Sequence, residues 1–140
     1  MSRAKVTTAL GAAVFGVAAT LLVTPAAATA TPCPDVELIF ARGTSEDPGL
    51  GRVGTKLESE LRAKLPDKTL TTYSVTYPAT WDFLAAQDGA LDAQNRIVTM
   101  SSTCPDTRLV LGGYSQGAAI VDMLMGVPPL GDKIGAIGSA

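Results

Sequence analysis

An α/β fold, with a parallel sheet covered by helices, is the class this sequence predicts. Three observations carry that expectation. Short apolar or β-branched runs alternate with segments in which apolar residues recur every three or four positions. Glycine or proline punctuates the ends of these segments. The strand–helix pair occurs three times in succession, an order that joins parallel strands through right-handed crossovers.

The elements begin only after residue 30. Met1 to Val23 opens with Arg3 and Lys5, continues as the uncharged stretch Leu10 to Val23, and passes through Pro25 into small residues. A cationic end, an apolar core and small residues ahead of a cut describe a secretory signal peptide over residues 1–30. Ala28 and Ala30 fit the third and first positions before cleavage, so the mature chain, residues 31–140, is expected to start at Thr31. The apolar core is shorter than the ~20 residues a spanning helix needs, so no stable membrane anchor is expected.

Val36 to Ala41 (VELIFA) reads as a buried strand that ends in a turn at Arg42-Gly43. Leu50, Val53, Leu57, Leu61 and Leu65 follow at helical spacing, with Lys56, Glu58, Glu60, Arg62 and Lys64 between them, and Pro66 stops this amphipathic helix. Leu70 to Tyr77 is rich in Thr, Tyr and Val and ends at Pro78, which marks a second strand. A second helix is expected from near Phe83 or later, ending before Cys104-Pro105. Thr107 to Leu111 is the third strand, and Ser115 to Met125 the third helix, closed by Gly126 and Pro128-Pro129. Leu130 to Ala140 is apolar and glycine-rich and finishes no element, so the C-terminal part of the fold reads as missing.

Composition narrows the function. With 46% hydrophobic and 17% charged residues the chain is expected to be globular rather than disordered. Without Arg3 and Lys5 the formal charge falls from −2 to −4, which excludes nucleic acid as a natural partner. There is no histidine, so no Ser-His-Asp or Cys-His triad can be assembled from these residues alone. Two cysteines are too few for a structural zinc site or an iron–sulfur cluster, and neither metal nor cofactor is expected. In an exported chain Cys33 and Cys104 are expected to join, a crosslink worth roughly 4 kcal/mol in the chain-entropy account. One small domain of this kind is expected to be a monomer.

Gly113-Tyr114-Ser115-Gln116-Gly117 is a G-x-S-x-G pattern between a predicted strand and a predicted helix, the setting of a nucleophile elbow. So tight a turn needs small residues two before and two after the serine, which Gly113 and Gly117 supply. Ser115 would then stand at the C-terminal edge of the sheet with a helix N-terminus behind it. The alternative is a glycine-rich turn in which Ser115 merely caps the helix. An oxyanion needs donors: the backbone N–H of Gln116 is one, and Thr44, leaving the first strand at the same edge, offers a second. Segment 42–46 also reads as a polar turn in which Thr44 or Ser45 caps the next helix. Cys33 and Cys104 each precede a parallel strand and so share the opposite edge, which agrees with the same layout.

Taken together, the leader, Cys33-Pro34-Asp35, Phe40 to Glu46 (FARGTSE), Tyr77-Pro78-Ala79, Cys104-Pro105 and Gly112 to Ala118 (GGYSQGA) resemble the cutinase family, in particular its secreted actinobacterial esterases. The resemblance implies a three-layer α/β-hydrolase fold without a large lid and hydrolysis of fatty-acyl esters through an acyl-enzyme. It implies Ser115 as nucleophile, Thr44 and Gln116 as oxyanion-hole residues, Cys33–Cys104 as a disulfide, and an ester or lipid substrate met outside the cell. In that family the catalytic Asp and His lie downstream of the serine, whereas here Asp122 falls on the elbow helix and Asp132 in the loop after it. The sequence therefore reads as a fragment or a truncated product. A different class of function remains open beside it: an exported esterase remnant that binds acyl ligands or serves as a surface antigen.

Overall fold

The computed structural model describes residues 32–127. The expected signal peptide and the expected unfinished tail lie outside the described residues. Within them the chain runs β1 (Val36–Ala41), α1 (Gly51–Lys64), β2 (Leu70–Ser74), a 3-10 turn (Phe83–Ala85), α2 (Ala86–Thr103), β3 (Arg108–Gly113) and α3 (Gln116–Leu124). The strands form one sheet in the order β2-β1-β3, and both pairs are parallel. An α/β fold with a parallel sheet is therefore what the chain adopts.

All six residues of β1 are buried, because a strand lies on each side and helices lie on each face. The two-residue period divides them. Val36, Leu38 and Phe40 pack with Leu70 against Leu57, Leu61 and Leu65 of α1. Ile39 and Ala41 join Val75, Tyr77 and the small residues Ala86, Ala90 and Ala93 of α2, with Ile120 and Met123 of α3. Glu37 shares that second face and is 1% exposed. Its carboxylate accepts from Arg96 of α2 at 2.7 and 2.6 Å and from the Thr71 hydroxyl at 3.2 Å. The Arg96 guanidinium lies 4.9 Å from the centre of the Tyr73 ring, and Tyr73 donates in turn to Asp92.

Two strand ends differ from the sequence expectation. β2 stops at Ser74 instead of Tyr77, because the backbone turns to polar partners: Thr76 N–H donates to Asp92 at 2.8 Å and the Tyr77 carbonyl accepts from Arg42 at 2.7 Å. β3 continues through Gly112 and Gly113, which pair with Phe40 and Ala41. A Cβ on Gly112 would run into the Phe40 ring, so bare glycine extends the strand there instead of ending it. The second helix opens as a 3-10 turn over Phe83–Ala85 whose Leu84 N–H is capped by the Asp82 carboxylate at 3.1 Å, and it becomes α-helical at Ala86.

At the N-terminal edge of the sheet the expected Cys33–Cys104 disulfide is formed. Beside it, Thr69 donates to Asp35 from both its N–H and its hydroxyl at 2.8 Å, and the Thr107 hydroxyl donates to the Pro34 carbonyl at 2.6 Å. These residues stand immediately before β1, β2 and β3. The ends of the strands are thus fastened together where no chemistry is expected, and the opposite edge is left to the loops.

Candidate active site

Three loops leave the C-terminal edge, one after each strand. Each contains one non-glycine residue at positive φ: Ser45 (61°) after β1, Ala79 (53°) after β2 and Ser115 (55°) after β3. Such angles cost free energy and persist only where neighbours over-determine them. Ser115, with ψ −117°, is the single residue between Tyr114 and the first turn of α3. The turn closes because flanking Cβ atoms are absent. One on Gly113 would strike the Gly117 carbonyl, and one on Gly117 would strike the carbonyls of Ala41 and Arg42.

Ser115 is exposed, and its hydroxyl makes no capping hydrogen bond to α3. Thr44 lies on the same edge, three residues beyond β1, and its hydroxyl donates to Gln116 Oε1 at 3.1 Å. The Gln116 side chain is almost fully buried, and its Nε2 donates to the Asp82 carbonyl at 3.4 Å. The structure therefore brings Thr44, Ser115 and Gln116 to one place. Among the described residues, the backbone N–H groups of Thr44 and Gln116 have no hydrogen-bond partner. Asp122 is on α3, two turns from Ser115, and Asp132 lies outside the described residues.

Neither Thr44 nor Ser45 caps α1; Glu46 does. Its Oε1 accepts from Arg52 N–H at 2.9 Å and its Oε2 from Gly43 N–H at 2.7 Å. Those two backbone donors, first Arg52 and then Gly43, hold the carboxyl below its ordinary range. Beneath the loop, Arg42 is 5% exposed. Its guanidinium donates to the Tyr77 carbonyl at 2.7 Å and to the Glu46 carbonyl at 2.9 Å, and lies 5.1 Å from the centre of the Tyr77 ring. The Tyr77 hydroxyl donates back to the Arg42 carbonyl, and burial pushes its acidity down, raising the pKa. The Ser45 N–H donates to the Ala79 carbonyl at 2.7 Å, which links two of the strained residues directly. Arg42, Glu46 and Tyr77, which the sequence presents only as parts of FARGTSE and Tyr77-Pro78-Ala79 with no role of their own, are the supports of this loop. The signal for the first was an arginine ending a buried strand, a cation that needs partners wherever it lands.

The loop after β2 also presents apolar surface. Trp81 is 79% exposed and Leu84 62%, with Phe83 at the margin, on a segment tied to Gln116 through the Asp82 carbonyl.

Residues 32–134 match the model of the family described as Cutinase. This chain belongs to the cutinase family. It is 57% identical over 123 residues to the phospholipase Culp4 of Mycobacterium tuberculosis, covering 86% of this chain and 54% of that protein. It is 40% identical over 114 residues to the carboxylesterase Culp1 of Mycobacterium bovis, covering 79% and 52%. The chain thus spans about half the length of these curated cutinase relatives. Among solved structures, an iodinated acetyl xylan esterase aligns with a TM-score of 0.64 at 27% identity, over 78% of this chain and 57% of that one. A Trichoderma reesei cutinase in complex with a phosphonate inhibitor aligns with a TM-score of 0.56 at 40% identity, over 64% and 42%. The fold is that of the cutinase and acetyl xylan esterase α/β-hydrolases.

Proposed function

We propose that this cutinase-family chain supplies the nucleophile and the oxyanion hole of a secreted carboxylic-ester hydrolase acting on fatty-acyl esters. The observation that carries the reading is Ser115: an exposed, uncommitted hydroxyl on a strained strand-to-helix turn, beside two unpartnered N–H groups. Ser115 Oγ attacks the ester carbonyl, and the resulting oxyanion is met by the N–H groups of Thr44 and Gln116, with the N-terminus of α3 adding to the favourable field. Collapse expels the alcohol and leaves an acyl group on Ser115, which water then removes. Trp81, Phe83 and Leu84 favour an apolar acyl chain over a charged one. Export agrees with the Cys33–Cys104 disulfide, and no helix among the described residues is long and apolar enough to cross a membrane.

No histidine occurs among the 140 residues, so the usual base for the Ser115 proton is not among them. The test compares hydrolysis of a short p-nitrophenyl ester by residues 31–140 and by the same chain with Ser115→Ala. Equal rates are expected, because loss of triad function costs several orders of magnitude. Joining on the C-terminal half of a curated relative should restore a Ser115-dependent difference. If the joined chain folds and still shows none, the second reading, a non-catalytic acyl-binding protein, gains the ground; the missing histidine is the observation that favours it. Ser115-dependent turnover in the unextended chain would mean that another group in it serves as base.

A further inference from the structure

The geometry points to Glu46 as a positioning residue that presets the loop holding the Thr44 N–H. This rests on the proposed role of Thr44 as an oxyanion donor, and concerns what makes that donor available before any ligand arrives.

Segment 43–46 is closed on itself from two directions. The Glu46 carboxylate accepts from Gly43 N–H at 2.7 Å, and the Glu46 N–H donates to the Gly43 carbonyl at 3.3 Å. The Gly43 carbonyl that accepts this bond belongs to the same peptide unit as the Thr44 N–H. With the Gly43 N–H and the Arg52 N–H both taken by one carboxylate, the next amide along, Thr44 N–H, is left over. The carboxylate also ties this loop to the first turn of α1, an element anchored in the core by Leu57 and Leu61. The segment is thereby tied to a helix as well as, through the Ser45 N–H, to the loop after β2.

The seat is shaped for a carboxylate. A Cβ on Gly51 would sit 2.5 Å from Glu46 Oε2, and one on Gly43 would sit 3.2 Å from it, so two glycines clear the space that the oxygen fills. Gly51 also has φ +68°, an angle glycine adopts without cost. On the other side Arg42 Nε donates to the Glu46 carbonyl at 2.9 Å, so both ends of residue 46 are held. Charge matters as well as shape: an ionised carboxylate accepts at both oxygens, one for each N–H here, whereas an amide in its place accepts at its single oxygen and turns an NH2 toward the other donor. The Glu46 carboxyl is held below its ordinary range by those two N–H donors and stays ionised at neutral pH.

The test uses the full chain and its Glu46→Gln variant, with Asp47→Asn, a neighbouring exposed carboxylate without a hydrogen bond to the loop, as control. Two measurements are read. The first is amide NMR: Gly43 and Arg52 N–H should be protected from exchange in the parent chain and lose at least tenfold protection in Glu46→Gln, with the Thr44 resonance displaced. The second is binding of phenylboronic acid, whose adduct on Ser115 places an oxygen where the oxyanion forms. Glu46→Gln should weaken it at least tenfold, with melting temperature and far-UV spectrum close to those of the parent, and Asp47→Asn should leave both measurements unchanged.

A parent chain that takes up no boronate is what the absence of a histidine base predicts, and leaves the roles of Ser115 and Thr44 where they stood. Glu46 is then decided by the amide data alone, where an unmoved Thr44 resonance overturns the proposal and a displaced one upholds it. If boronate binds the parent and the Glu46→Gln variant equally, the proposal is overturned while the esterase reading stands. If Glu46→Gln melts with loss of its folded spectrum, Glu46 is merely structural and the proposal also falls.

Discussion

At Gly117 one missing methyl group decides whether the reactive turn can form. An added Cβ would meet the Ala41 and Arg42 carbonyls, backbone atoms that cannot swing aside as a side chain could. Gly117→Ala is expected to cost about 3 kcal/mol or more in urea-induced unfolding, the upper range for overpacking. Ala118→Ser, one position on and exposed, should stay within about 0.5 kcal/mol. This much was legible from sequence, because the steric rule of the elbow is local and needs no knowledge of distant residues. Glu46 was not legible in the same way. Its value depends on Gly43 and Arg52 facing it together, and a linear reading offers only a carboxylate in a turn. Gln116 was read for its backbone N–H alone; its buried side chain, held by Thr44 and by the Asp82 carbonyl, follows from tertiary contacts 72 and 34 residues away in sequence.

Elements were readable where burial was continuous and less so where polar partners redirected the backbone. VELIFA marked a buried strand through its apolar residues, although Glu37 stands within that run and is as buried as its neighbours. Its compensation comes from α2: Arg96 spans both carboxylate oxygens and rests on Tyr73. Removing the cation alone leaves a carboxylate in the core. Arg96→Met is therefore expected to destabilise by about 3 kcal/mol, the low end for breaking a buried pair because Arg96 keeps 30% of its side chain in solvent. Adding Glu37→Leu to Arg96→Met should recover most of that loss, since a buried pair replaced by apolar groups is often near neutral. A double-mutant cycle by urea unfolding checks it, and additive losses would show that the two side chains are not coupled. The early end of β2 has a related cause, for Asp92 of the same helix captures the Thr76 N–H that a longer strand would have used.

Across the whole molecule, the alternating pattern of runs and helices was sufficient to predict a parallel sheet. The order β2-β1-β3 depends on which strand is buried on both sides and needed the structure. The edge where the strands begin carries its own titration. Asp35 is held at about 2 against an ordinary 3.8, first by the Thr69 N–H, then by the Thr69 hydroxyl and Lys68. A folded-state value below the unfolded one stabilises the fold fully above the ordinary value, and the contribution disappears as pH falls through about 2. The stability difference between the parent chain and Asp35→Asn should therefore be constant near neutral pH and shrink between pH 3.8 and about 2. A difference that widens on acidification would contradict the assignment.

The three positive-φ residues follow the three strands, whereas the disulfide and the Asp35–Thr69 ties precede them. Inherited change therefore meets two unequal territories. Substitutions in the loops after the strands can retune or abolish reactivity without loosening the knot at the far end, so a lineage can wander through many reactive surfaces while proteases still encounter the same closed base. Loss of chemistry and loss of the folded chain become separate events in its history.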